Sequence, residues 1–240
     1  MRALMSVLLL VSCGGGFECD SVADVDGDGL SECEEWELYL NPEIADSDGD
    51  GFDDGEELEC GSDPADKNEV CYACGWRHDD PGDLTGVGSS EGDTIANIGL
   101  ADACHEDVDL WDFAGSYHIL FFTAEWCGVC KAEVNGHDAM LESFRSRSDV
   151  PADYLVILFQ NARGGTPTSD SVVAYQQAVS TEGPILADPK VDTVSLTPYD
   201  GSALPGKCLV SPRMEMLKCW TGKEGDSEAF DMIEAHAAGG

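Results

Sequence analysis

The stretch YHILFFTAEWCGVCKAE, residues 117–133, decides how this chain is read. Its first eight residues form a near-continuous apolar run, as a strand buried on both faces requires. The run leads through Trp126 into two cysteines spaced C-x-x-C, Cys127 and Cys130, and the pattern beyond predicts a helix over about 128–147. A second apolar run, YLVILFQN at 154–161, completes a β-α-β unit and places the chain in the α/β class. Around that unit, TIANIGLAD (94–102) predicts an edge strand, and a further helix is expected over 169–182. KCLVS (207–211) and MEMLKCW (214–220) predict a hairpin turning around SPRM, and SEAFDMIEAHAA (227–238) a closing helix over the remaining sheet face.

Two cysteines at this spacing can exchange disulfides, hold a metal or staple the fold. A thiol at a helix N-terminus has its thiolate stabilised by free backbone N–H groups and the helix dipole. Cys130 lies within one turn of Cys127, close enough to resolve a mixed disulfide by intramolecular attack. A buried strand entering the pair and a helix leaving it suit a redox site better than a staple. A zinc or copper site would draw on His137 with Cys127 and Cys130 from one helical face.

The element order and two longer runs, DLWDFAGSYHILFFTAEWCGVC (109–130) and LPGKCLVSPRMEML (204–217), resemble the thioredoxin fold and its membrane-attached TlpA-like branch over about residues 91–238. The resemblance implies a central mixed sheet flanked by helices and thiol–disulfide oxidoreductase activity on protein thiols and disulfides, with a redox partner and no organic cofactor. It implies Cys127 as the attacking thiol, Cys130 as the resolving thiol, Pro205 as a cis-proline facing them and Glu133 as an aid to proton transfer. Two positions depart from it. Phe121 stands where cytoplasmic thioredoxins bury an aspartate, and Val129 stands where proline is usual. Three other readings remain: a copper chaperone, though such relatives space their cysteines further apart; a peroxiredoxin-like antioxidant, though LFFTAEWC lacks the P-x-x-x-T-x-x-C pattern; and a non-catalytic calcium-binding surface or scaffold lipoprotein.

The chain carries a net charge of −36 at pH 7, which disfavours nucleic acid and anionic membrane surfaces as partners. Residues 17–70 hold 21 of the 48 acidic residues and a single basic one, Lys67, and so mark a separate module. Within it DVDGDGLSECEE (24–35) and DSDGDGFDDGEE (46–57) repeat D-x-D-x-D-G with a glutamate at position twelve. Alternate carboxylates on a tightly turned loop supply the hard oxygen ligands that calcium needs. The expected ligands are Asp24, Asp26, Asp28, the Leu30 carbonyl, Glu32 and Glu35 in the first loop, and Asp46, Asp48, Asp50, the Phe52 carbonyl, Asp54 and Glu57 in the second. The short spacing leaves room for one helix per loop. With LNPE (40–43) and GSDP (61–64) after the loops, residues 20–68 resemble thrombospondin type 3 and related bacterial repeats, implying about two structural calcium ions in a module spanning 20–70.

At the N-terminus an apolar run over residues 1–12 has the character of an export signal, and LVSC (10–13) resembles the lipobox of bacterial lipoproteins. The expectation is a lipid on Cys13, a tether over 13–19 and a place in the bacterial cell envelope. An oxidising compartment lets disulfides persist. Cys19, Cys33, Cys60, Cys71, Cys74 and Cys104 are candidates for pinning the repeats and a linker over 71–93, and Cys208 and Cys219 for a bond across the hairpin. Cys71, Cys74 and His78 lack a fourth zinc ligand at familiar spacing. The domain carrying the C-x-x-C is expected to occupy 94–240.

Overall fold

The structure is a computed structural model describing residues 19–49, 52–60, 62–66, 84–181, 183–199, 201–223 and 225–239. The expected signal segment, Cys13, Asp50, Cys71, Cys74 and His78 lie outside the described residues, as does the Cys60 side chain. In the acidic module each loop leads into one short helix, α1 (Glu32–Leu38) and α2 (Asp54–Cys60). A capping box between Ser31 and Glu34 starts α1, which ends where Tyr39 turns left-handed. A disulfide joins Cys19 to Cys33 and closes the first loop against its helix.

From residue 84 onward the chain builds one mixed sheet. Its strands are β1 (Gly99–Ala101), β2 (Asp107–Asp109), β3 (Tyr117–Ala124), β4 (Ala152–Gln160), β5 (Ile185–Ala187), β6 (Gly206–Val210) and β7 (Met216–Thr221). They lie in the order β2-β1-β5-β4-β3-β6-β7. The pairs β3–β4 and β4–β5 are parallel, whereas β6 and β7 form the expected antiparallel hairpin beside β3. All eight residues of β3 are buried, because apolar clusters cover both sheet faces. One cluster takes Tyr117, Ile119 and Phe121 with apolar residues of α3 (Gly128–Val134), α4 (His137–Arg145), α5 (Ser169–Gln176) and α7 (Asp226–Gly239). The other takes Leu120 and Phe122 with Tyr199, a 3-10 turn (Leu110–Phe113) and Val194 of α6 (Asp192–Ser195).

Three expectations are adjusted. The single helix over 128–147 is two, broken at Asn135–Gly136, where the Gly136 N–H bonds the Glu133 carbonyl at 2.8 Å in a tighter turn. The Asn135 side chain accepts the Ser180 N–H at 2.7 Å, tying the break to the segment after α5. TIANIGLAD supplies β1, which sits inside the sheet; β2, unforeseen, is the edge. Residues 84–93, expected to be linker, fold back on the hairpin: Gly92 N–H bonds the Met216 carbonyl at 2.7 Å, and Met216 N–H bonds the Asp93 carbonyl at 2.9 Å.

Candidate functional site

The buried strand β3 delivers Cys127 to the N-cap of α3, and Cys127 and Cys130 are joined as a disulfide with Cα atoms 5.3 Å apart. The Cys130 N–H donates to Cys127 Sγ at 3.3 Å, so a first-turn amide already points at the sulfur where thiolate charge would form. Trp126 and Val129, either side of Cys127, are about half exposed. The Trp126 indole N–H is held by Gln160 Oε1 at 3.1 Å, the residue that ends β4.

Across the same end of the sheet lies the Leu204–Pro205 peptide bond, which is cis. Its position follows from register: Gly206 pairs with Phe122 and Lys207 with Phe121, so the proline sits level with the end of β3, from which the cysteines follow. Gly206 has no room for a side chain, since a Cβ there would enter the Tyr199 ring.

Glu133 follows Cys130 by three residues, which puts both on one face of α3. Its Oε1 lies 2.5 Å from Lys207 Nζ, and the same ammonium lies 2.5 Å from Asp226 Oδ2 at the start of α7. The Lys207 side chain is wholly buried. Tyr154 on β4 donates its hydroxyl to Asp226 Oδ1 at 2.8 Å, and burial, ahead of the nearby Asp226 charge, pushes its pKa up. His137 stacks on Tyr154 with ring centroids 3.8 Å apart and meets Phe121 edge-on at 4.8 Å. Burial, and then the Lys207 charge, push the His137 pKa down to about 3. The sequence reading missed Lys207 and Asp226. The signal for Lys207 was a lysine set inside an otherwise apolar strand; Asp226 carried none.

The remaining histidines have other partners. His118 donates from Nε2 to the Phe113 carbonyl at 2.7 Å, His236 Nδ1 lies 2.7 Å from the Tyr117 hydroxyl, and His105 is exposed beside Asp170. Cys208 and Cys219 sit opposite each other in the β6–β7 register and are disulfide-bonded; Cys104 is disulfide-bonded as well.

In the acidic module, Asp24, Asp26 and Asp28 bring carboxylate oxygens within 4.8 Å of one another, and so do Asp28, Glu35 and Asp54. Both oxygens of Asp26, both of Glu35 and Oδ2 of Asp28 are buried without a hydrogen-bond partner among the described residues. Such convergence is costly unless a cation neutralises it. Burial first, then the charges of Asp26, Asp28, Asp54 and Asp24, push the Glu35 pKa up to about 7. The donor set therefore fits a hard cation. Asp54, assigned from the repeat to the second loop, here joins the first-loop ligands while accepting Ser47 N–H and hydroxyl at 2.8 and 2.7 Å. Glu32 accepts the Asp20 N–H at 3.2 Å. In the second loop Asp46 accepts the Gly49 N–H at 2.7 Å, and Glu57, fully buried, accepts the Ser62 hydroxyl at 3.0 Å. Among the described residues both potential ligand clusters lie in this module, and neither includes Cys127, Cys130 or His137.

Comparison with known proteins bears on both halves. Residues 92–196 match the family model of the AhpC/TSA family, and residues 46–67 match that of the bacterial TSP3 repeat. No curated protein matches the chain. Among solved structures, a Chlorobium tepidum protein described as a thiol:disulfide interchange protein, DsbE, is similar at 22% identity, covering 62% of this chain and 98% of its own, with a TM-score of 0.48. The exposed lipoprotein thioredoxin Etrx1 of Streptococcus pneumoniae is similar at 19%, covering 58% and 99%, with a TM-score of 0.47. Copper-bound ScoI of Arabidopsis thaliana is similar at 15%, covering 60% and 99%, with a TM-score of 0.48. The chain thus has a mixed sheet of thioredoxin-like fold over a region that matches the AhpC/TSA family model, and before it a segment that matches the bacterial TSP3 repeat.

Proposed function

We propose that this protein is an extracytoplasmic thiol–disulfide oxidoreductase, anchored by a lipid on Cys13, that exchanges the Cys127–Cys130 disulfide with protein thiols. The observation that carries the reading is a disulfide at the N-cap of α3 with a backbone N–H already on Cys127 Sγ. In one direction a substrate thiolate attacks Cys127 Sγ, the Cys127–Cys130 bond breaks, and its electron pair leaves on Cys130, which takes up a proton. The substrate's second thiolate then attacks the mixed disulfide, leaving as an oxidised substrate and expelling Cys127 as a thiolate. Run backwards, the Cys127 thiolate attacks a substrate disulfide and Cys130 resolves the adduct. Glu133, three residues after Cys130 on α3, would carry the Cys130 proton. Pro205 contributes a strand end without an N–H beside the sulfurs.

Calcium, when bound to the acidic loops, supplies the positive charge their carboxylates need in order to converge. Asp24, Asp26, Asp28 and Glu35, with the Leu30 carbonyl and Asp54, would hold it in the first loop, and Asp46, Asp48 and Glu57, with Asp50 and the Phe52 carbonyl, in the second. Its role is to stiffen the spacer that follows the lipid anchor.

Insulin reduction by the full chain, with dithiothreitol as electron donor, tests the redox reading. Cys127→Ser is expected to abolish it, and Cys130→Ser to accumulate a mixed disulfide at Cys127 visible by mass spectrometry. Turnover unchanged by both substitutions would overturn the reading. One observation favours a second reading, a peroxidase: the AhpC/TSA match itself. Against it, Leu120 and Ala124 stand where P-x-x-x-T-x-x-C has proline and threonine. Thiol-dependent peroxide consumption faster than insulin reduction would favour the peroxidase.

A further inference from the structure

Lys207 lies two residues beyond the cis-proline and pairs in register with Phe121, the residue that replaces the buried acid of cytoplasmic thioredoxins. A fully buried ammonium persists only when it is paired, and replacing such a pair by apolar side chains often costs a fold nothing. Here one ammonium serves two carboxylates from different elements, Glu133 of α3 and Asp226 of α7. Both are nearly buried themselves, with side chains 11% and 15% exposed. Asp226 has its second oxygen occupied by the Tyr154 hydroxyl. Glu133 does not: its Oε2 is buried and has no hydrogen-bond partner among the described residues. A carboxylate pinned through one oxygen, with the other unpartnered and with Cys130 three residues before it on the same helix, is available to accept a proton.

We propose that Lys207 is a positioning residue for the redox pair: its buried ammonium, shared by Glu133 and Asp226, fixes the Glu133 carboxylate on the Cys130 face of α3, where it receives the Cys130 proton during disulfide resolution. The proposal rests on the reading of Cys127 and Cys130 as an exchanging pair. In the resolving step the Cys130 S–H proton passes to Glu133, the Cys130 sulfur bonds to Cys127 Sγ, the bond to the substrate sulfur breaks, and the substrate departs as a thiolate. The proton leaves Glu133 for that thiolate or for water.

Beside the apolar Phe121 of β3, six elements around this spot contribute charged or titratable groups. They are Cys130, Lys131 and Glu133 from α3, His137 from α4, Tyr154 from β4, Tyr175 from α5, Lys207 from β6 and Asp226 from α7. Lys131 Nζ lies 5.3 Å over the Tyr175 ring, and Lys207 Nζ lies 5.8 Å from the centre of the Phe121 ring. Burial, and then the Lys207 charge, hold His137 neutral, which leaves Glu133 as the acceptor on the Cys130 face.

The test is a double-mutant cycle on the full chain, with Glu133→Gln, Lys207→Met and the two combined. Insulin reduction is followed from pH 5 to 9, beside thermal unfolding of each variant. Each single variant is expected to slow turnover at pH 7 by about a hundredfold, the lower end for loss of a proton-transfer group, and to alter the pH profile in the same way. The double variant should be no slower than Glu133→Gln alone, because Lys207 acts through Glu133. Multiplicative losses, or a Lys207→Met profile identical to the wild type, would overturn the proposal and leave the exchange reading standing. Absence of turnover in the wild type would overturn both. If Lys207→Met fails to fold, Lys207→Gln, which keeps a polar head without the charge, carries the same expectations.

Discussion

Phe121 and Lys207 face each other across β3 and β6, and the proposed chemistry of the site turns on that pair. Where an acid is absent from the strand, a cation enters from its neighbour and holds an acid from the helix instead. The cost falls on His137, buried against Tyr154 and Phe121 with neither ring nitrogen hydrogen-bonded among the described residues. His137 is pushed down to about 3 and His118 to about 4, both chiefly by burial, against 6.5 in an unfolded chain. Since the folded values lie below the unfolded one, the unfolded chain binds more protons as pH falls under 6.5. Stability contributed by the neutral rings is complete above that pH and declines below it. Each ring should remove up to about 1.4 kcal/mol of unfolding free energy per pH unit between roughly pH 6 and 4. His137→Phe, measured by urea unfolding across that range, should be shallower than the wild type by about that slope; parallel curves would contradict it. The sequence showed a histidine after the cysteines. It did not show that the ring points inward, because α3 ends at Val134 and the chain restarts as α4 at His137 itself.

At the scale of elements, the apolar runs at 117–124 and 154–161 were legible because both faces of a central strand are dry, so no polar residue is required in either. The hairpin was legible for a similar reason: SPRM separates two runs whose cysteines, Cys208 and Cys219, fall in register. The short strands β1, β2 and β5 carry three residues each, too few for a period to register, and their pairing is decided by the partner strand. One tight constraint between elements is at Gly206, between Pro205 and Lys207. A side chain there would displace Tyr199, whose ring stacks on Phe122 at 5.1 Å and whose hydroxyl bonds the Ala203 carbonyl at 2.9 Å. Gly206→Ala is therefore expected to cost about 1–3 kcal/mol of stability, the usual penalty of overpacking, read as a lowered unfolding midpoint in urea. A midpoint unchanged from the wild type would mean that Tyr199 moves freely.

For the whole molecule, the acidic module touches the sheet through Phe52 of the second loop, which packs against the cluster containing Leu120 and Phe122. Its carbonyl is an expected calcium ligand, so the loop proposed to bind the ion also touches the core. Calorimetry should show calcium binding with about two sites, lost when Asp24→Ala is combined with Asp46→Ala, the first ligands of the two loops. Chelation should lower the thermal transition of the sheet as well as unwind the module, since binding to the folded state alone stabilises it. Heats that persist in the double variant would refute the ligand assignment. The sequence by itself determined the α/β class, the C-x-x-C at a strand-to-helix junction and the repeated acidic loops, because each is written in local spacing. Only the tertiary structure decided that Asp54 turns to the first loop's ligands, that the helix after the cysteines breaks, and that Lys207 bridges Glu133 to Asp226. Those outcomes join residues 19 to 93 positions apart, and burial forces charges to find partners wherever the fold brings them within reach.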